Sequence, residues 1–216
     1  MADKGKAMTT MIARIFALFV VATSICGAPP SVQAGDAAGN YYVRGFGSQT
    51  CERYLKERKA RSAAYVAFRT WANGYVTSYN QFAAGTYDAA ANFSISTLAA
   101  MLANYCTTNK KSNFVSAVYA VTRELHKYRI ETRSPEVAVS AGKRKTRVFV
   151  ETIRRVQEFL KQQGLYSSRV DGKFGKGTSA AISAYQKKRK ISVTGLPDGP
   201  TLIAIYQEIS GSGKSR

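Results

Sequence analysis

Apolar residues recur at three- and four-residue steps in two separate parts of the chain, and this spacing predicts amphipathic helices. In the first part, an aromatic stripe covers residues 65–82, and shorter stripes cover residues 95–105 and 114–128. With a short helix before them, the pattern predicts a four-helix unit over residues 40–130. We expect the aromatic stripe to form core, because large aromatic side chains are mostly buried, and Trp71 beside it to be half-exposed.

Three more helical stripes lie in residues 147–209. The first ends at Gly164, and the last begins near Pro200, which suits the first turn of a helix. Between the first and second stripes, residues 171–178 read Asp-Gly-Lys-Phe-Gly-Lys-Gly-Thr. The glycines favour a tight reversal with positive φ angles, and we expect Phe174 to fold inward and hold it against the helices.

The segment between these two parts loses the helical period. Ser134 and Pro135 are followed by small residues and then by the basic run at residues 143–145. We interpret residues 131–146 as a flexible basic linker and residues 210–216 as a disordered tail. The sequence therefore predicts an all-α protein made of two small helical domains.

The C-terminal pattern resembles the three-helix peptidoglycan-binding domain that accompanies many wall hydrolases. The residues that carry the resemblance are Gln157, Leu160, Gly164, Leu165, Tyr166, Asp171, Gly172, Phe174, Gly175, Thr178, Ala181, Tyr185, Gln186, Val193, Thr194, Gly195, Asp198, Thr201 and Leu202. The resemblance implies non-covalent recognition of wall peptide or glycan in a shallow groove beside the glycine-rich turn. The ligand-binding residues that it implies are Asp171, Gly172, Phe174, Gly175, Thr178 and Gln186.

These turn residues also have a purely structural interpretation. Asp and Gly are favoured in tight turns for conformational reasons alone, whether or not a ligand binds there. At the level of the sequence both interpretations stay open.

The first residues carry the features of a secretory signal. Basic residues precede an apolar run at residues 15–22, and small residues at 32–34 suit cleavage. We expect residues 1–34 to be removed and the protein to be periplasmic or secreted. Lipid attachment at Cys26 is an alternative, although Ile25 stands where a lipoprotein signal needs a small residue.

Export leaves Cys51 and Cys106 as a pair in an oxidising compartment, where we expect a disulfide. On the loop-entropy argument, closing a loop of this length contributes about 4 kcal/mol. A nucleophilic cysteine would need a base, and His126 is the only histidine of the chain. One histidine is also too few for a usual zinc site. We therefore predict no catalytic residue, no metal and no cofactor.

Charge narrows the class of partner. Lys and Arg number 32 against 13 Asp and Glu, which gives a net charge of +19. Such a charge attracts polyanions, and DNA would be a natural partner inside a cell. Because we expect export, we predict no nucleic-acid partner and expect peptidoglycan, together with other anionic envelope components.

Residues 40–130 resemble small secreted helical proteins with one disulfide, such as periplasmic acid-stress chaperones. Taken together, these patterns predict an exported, non-enzymatic protein. Its C-terminal module would bind peptidoglycan and localise the N-terminal helical domain at the cell wall. Two alternatives stay open, namely a periplasmic stress or chaperone-like protein and an accessory subunit of a wall hydrolase.

Overall fold

The computed structural model describes residues 35–212, the last of them as backbone only. The predictions on the signal segment, on Cys26 and on residues 213–216 lie outside the described residues. By its contacts the chain divides into Met1–Tyr41 and Tyr42–Arg216. In the described part of the shorter unit, the Asp36 carboxylate accepts the backbone N–H groups of Ala38 and Asn40 and closes a turn.

The N-terminal half of the longer unit contains the predicted helices. They are a short 3-10 helix at Gly45–Ser48, then α1 at Cys51–Ala60, α2 at Ala63–Phe82, α3 at Ile95–Thr108 and α4 at Phe114–His126. The first three α-helices begin after Thr50, Ser62 and Ser94, whose side-chain oxygens each accept a first-turn backbone N–H. Such caps satisfy amides that have no partner within the helix. The predicted disulfide between Cys51 and Cys106 is present and joins α1 to α3.

Aromatic rings fill the centre of this half. Tyr54, Phe68 and Phe114 lie with their ring centroids 4.7 to 5.3 Å apart. The stripe along α2 is buried at Phe68, but its last residue, Phe82, is 77% exposed. The prediction of a buried stripe therefore holds for only part of α2. Trp71 is half-buried, as expected, and its indole N–H donates to the Arg44 carbonyl at 2.8 Å.

The expectation of an all-α fold is wrong between residues 136 and 149. This segment, most of which was expected to be linker, forms an antiparallel hairpin of β1 at Glu136–Ala141 and β2 at Arg144–Phe149. The turn is closed by Gly142, whose φ of +57° suits glycine. Val139 and Val148 are buried on one face of the hairpin, so apolar burial stabilises it despite the charges on its other positions.

Three further helices follow the hairpin, in the predicted order. They are α5 at Val150–Gln162, α6 at Lys176–Lys188 and α7 at Gly199–Ser212. The first of them begins at Val150, because Phe149 still belongs to β2. The last continues past residue 209 into the segment that we interpreted as a tail.

The helices on both sides of the hairpin share one apolar cluster. Leu98 and Leu125 of the N-terminal half belong to the same cluster as Leu160, Ile182 and Ile205 of the C-terminal half. This cluster draws side chains from both of the domains predicted from the sequence. The division of the chain into two domains stays a prediction. Of the helices within residues 35–212, none is long and apolar enough to cross a membrane.

Candidate functional site

The glycine-rich turn between α5 and α6 is folded around one buried side chain, Gln157. Its carbonyl oxygen accepts the backbone N–H groups of Asp171 and Gly172 at 3.1 and 2.9 Å. Its amide nitrogen donates to the Lys173 carbonyl at 2.9 Å and to the Thr178 hydroxyl at 3.1 Å. Gln157 is fully buried, so it fixes the turn from the inside.

Asp171 and Gly172 have clear roles in shaping this turn. One carboxylate oxygen of Asp171 accepts the Lys173 N–H at 2.9 Å, and this hydrogen bond is the main cause that holds the pKa of Asp171 below its usual value. Gly172 has a φ of +74°, and an added Cβ would lie only 2.7 Å from Cγ1 of Val150. A side chain at residue 172 would therefore meet both backbone strain and a close contact.

Gln186 of α6 plays the same part in the next loop. Its carbonyl oxygen accepts the backbone N–H groups of Thr194 and Gly195 at 2.8 and 2.9 Å. Its amide nitrogen donates to the hydroxyls of Thr194 and Thr201 and to the Leu196 carbonyl. Gln186 is fully buried, and its side-chain amide forms hydrogen bonds with other groups of the protein.

The six residues predicted to contact a ligand differ in their exposure. Gly172, Thr178 and Gln186 are buried, and they hold the loops in shape. Phe174 is half-buried and Gly175 is exposed on the outer side of the turn. Asp171 is half-buried, with one oxygen engaged within the turn. The placement favours Phe174 and Gly175 as the residues that a ligand could reach.

A concave surface lies next to these two residues, between β1 and the first half of α6. Its volume is about 540 Å³, within the range of about 300 to 1,000 Å³ that is usual for ligand pockets. The lining residues are Ala138, Val139, Ser140, Ala141, Gly142, Phe174, Gly175, Lys176, Ser179, Ala180 and Ser183. The hairpin therefore supplies one wall and the predicted turn supplies the other.

Among the described residues that line the cavity, Lys176 is the one charged side chain, and none is Asp or Glu. Residues 137–150 and 172–197 include no Asp or Glu. The other basic residues of these segments up to the start of α6 are Lys143, Arg144, Lys145, Arg147 and Lys173, and Glu136 and Asp171 directly precede the two segments. Arg147 is paired with Glu136 just before this stretch, at 2.7 Å. The site is thus electrostatically suited to an anionic ligand.

Sequence reasoning missed the hairpin wall altogether. The signal for it is the alternation of Val137 and Val139, followed by the turn residue Gly142 and by Val148 on the returning strand. Val139 and Val148 pack with Ile153 and Leu196, and Val137 packs against the same cluster. The basic residues between them made the segment read as a solvated tether.

The remaining candidates for chemistry lie elsewhere. The ring nitrogen Nδ1 of His126 lies 3.2 Å from the Tyr79 hydroxyl, on the N-terminal half. Across residues 35–212, no group of three or more His, Cys, Asp or Glu side chains is placed to hold a metal ion.

Comparison with known proteins assigns a family to the C-terminal module. Residues 150–205 match the family model of a peptidoglycan binding domain. This match confirms the resemblance read from the sequence, and it runs from the first residue of α5 into α7 while leaving the hairpin outside. Neither the curated proteins nor the solved structures contain a match to the chain.

Proposed function

We propose that this chain is an exported, non-enzymatic wall-binding protein whose C-terminal module holds it on peptidoglycan. The observation that carries the proposal is the family match over residues 150–205, with an open cavity beside Phe174 and Gly175. In this account the N-terminal helices are brought to the wall by the module. The protein works in the periplasm or outside the cell.

Electrostatics add to this binding. Lys176 at the cavity and the positive net charge of the chain attract carboxylates of the cell wall at long range. Charges exposed to solvent are screened beyond about 10 Å at 0.1 M salt, so this part of the attraction weakens as salt is added. The contacts inside the cavity are partly shielded and are less sensitive to salt.

Co-sedimentation of residues 35–216 with purified sacculi tests the proposal. A bulky Ala180→Trp substitution places an indole on the cavity wall, and Val66→Trp adds the same side chain at an exposed position of α2. We expect the unmodified protein and Val66→Trp to sediment with sacculi, and Ala180→Trp to remain largely in solution. Absence of the unmodified protein from the pellet at moderate salt would overturn the proposal.

A further inference from the structure

The outer edge of β1 has no partner strand. β1 pairs with β2 alone, and no backbone hydrogen bond joins its other edge to the described part of the chain. All residues from Ala138 to Ala141 line the cavity. A sheet face presents alternate residues, whereas an edge presents the backbone of consecutive residues. The cavity therefore runs along the free edge of β1.

The register of the hairpin shows which backbone groups face this cavity. Ala141 pairs with Arg144 across a two-residue turn, so these two residues exchange backbone hydrogen bonds. Hydrogen-bonded and non-hydrogen-bonded pairs alternate along an antiparallel ladder. Ala138 and Ser140 are in the non-hydrogen-bonded pairs, and their N–H and C=O groups point away from β2. Both residues are exposed.

The opposite wall is suited to a carboxylate. The helix α6 begins after Gly175, which provides no side-chain cap, so the first backbone N–H groups of this helix have no side-chain acceptor there. Lys176 lines the same cavity and carries a positive charge. A negative group at this end of the helix is also favoured by the helix dipole.

We propose that this cavity binds the acidic peptide portion of peptidoglycan rather than its sugar chain. Amide groups of the peptide hydrogen-bond to the outward backbone groups of Ala138 and Ser140, and a peptide carboxylate is held by Lys176. This inference rests on the proposed function and names the part of the wall that is bound.

The lining chemistry distinguishes the two parts of the wall. The free carboxylates of peptidoglycan belong to its peptides, and they complement a cavity that is lined by Lys176 and by no Asp or Glu. Sugar rings are commonly held by aromatic faces, and Phe174 is the only aromatic residue among the described residues that line the cavity. The free edge of β1 matches the amides of a peptide, as in other cases where a peptide binds beside a strand.

Two pairs of variants of residues 35–216 test the inference. Ala138→Pro removes one outward N–H without breaking the ladder to β2, and Ala138→Val retains that N–H. Lys176→Gln removes the charge at the cavity, and Lys188→Gln removes an equal charge at the far end of α6. Each protein is titrated with peptides released from sacculi by an amidase, and separately with the peptide-free glycan chains, on which this hydrolysis leaves lactyl carboxylates. Charge alone therefore does not distinguish the two probes. Circular dichroism checks that each variant is folded.

We expect the unmodified protein to bind the released peptides and not the bare glycan. Loss of one backbone hydrogen bond predicts peptide binding at least about threefold weaker for Ala138→Pro than for Ala138→Val. Loss of a charge-assisted bond predicts about tenfold weaker binding for Lys176→Gln than for Lys188→Gln. If Ala138→Pro fails to fold, the lysine pair decides.

Two outcomes would overturn the inference while the proposed function stands. In the first, the protein sediments with intact sacculi but binds glycan chains and not peptides. In the second, both members of the lysine pair bind peptide equally well. If no protein sediments with sacculi at all, the proposed function itself fails, so the two failures are distinguishable.

Discussion

Gln157 is fully buried beneath the glycine-rich turn. Replacing it with leucine places an apolar side chain in this buried position, and this should lower the denaturant concentration at which the turn unfolds. Leucine has a similar size, but it leaves the N–H groups of Asp171 and Gly172 without their acceptor, and the Lys173 carbonyl keeps only the Thr178 hydroxyl, at 3.4 Å. A buried polar group without a partner costs about 1 to 3 kcal/mol. Gly172 is buried, whereas Lys173 is exposed and Asp171 is half-buried, so water can partly replace the lost bonds there.

The expected loss is therefore about 2 to 4 kcal/mol, a large fraction of the 5 to 15 kcal/mol that is usual for a folded domain. Guanidinium unfolding followed by circular dichroism measures it. Gln162→Leu is the matched control, because Gln162 is exposed on the last turn of the same helix. Equal denaturation midpoints for the two variants would refute the role assigned to Gln157.

The variant Gln157→Glu separates the two halves of the amide. Glutamate keeps an oxygen for the N–H groups of the turn, but it replaces the donor with an acceptor facing the Asp171 carboxylate, which lies 3.3 Å from the amide nitrogen. An ionised glutamate there is buried beside a like charge, whereas a protonated one can donate. We expect this variant to be closer to the unmodified protein near pH 4 than at pH 7, because glutamate ionises near about pH 4.3. Equal destabilisation at both pH values would count against this assignment.

Three further outcomes follow from the structure. Reduction of the disulfide between Cys51 and Cys106 should lower the free energy of unfolding by about 4 kcal/mol, because the bridge closes a loop with a sequence separation of 55; denaturant unfolding with and without reductant measures this loss. Gly172→Ala should destabilise the protein more than Gly164→Ala, because both glycines have positive φ but only residue 172 lacks room for a Cβ; thermal midpoints compare the two. Burial raises the pKa of Tyr206 to about 12. The stability that comes from keeping Tyr206 neutral is therefore present below pH about 10 and is lost as the pH rises toward 12. Denaturant unfolding across this range should show a smaller loss of stability for Tyr206→Phe than for the unmodified protein.

Local patterns predicted the helices of this protein well. The helical period marks where the helices lie, since it depends on residues close in sequence. The glycine-rich turn was likewise predictable from its own residues. These features depend on backbone preference, which a sequence states directly.

The rest depends on contacts between distant residues. No residue adjacent in sequence indicates that the Gln157 and Gln186 side chains hydrogen-bond to the backbone N–H groups of the loops. The family resemblance therefore included both residues but did not predict these hydrogen bonds. The hairpin was hidden because three valines in alternation are a weak signal beside a run of basic residues. Its stability comes from packing on Ile153 and Leu196, which only the fold brings near.

The shared apolar cluster was beyond sequence reasoning for the same reason. Tyr128 of the N-terminal half stacks on Tyr206 of α7 with ring centroids 4.6 Å apart. The Tyr128 hydroxyl also donates to the Tyr206 carbonyl at 2.7 Å. Amphipathic stripes tell which face of a helix is buried, but not which helix covers it.

We propose that the protein binds peptidoglycan in the cavity that β1 forms with α6 of the C-terminal module. Backbone amide chemical shifts of residues 35–216, recorded by NMR during titration with solubilised wall fragments, test it most directly. We expect saturable shifts concentrated at residues 138–142 and 174–183, with little change at residues 58–69 on the N-terminal helices. Shifts that cluster elsewhere, or none at saturating fragment, would contradict it.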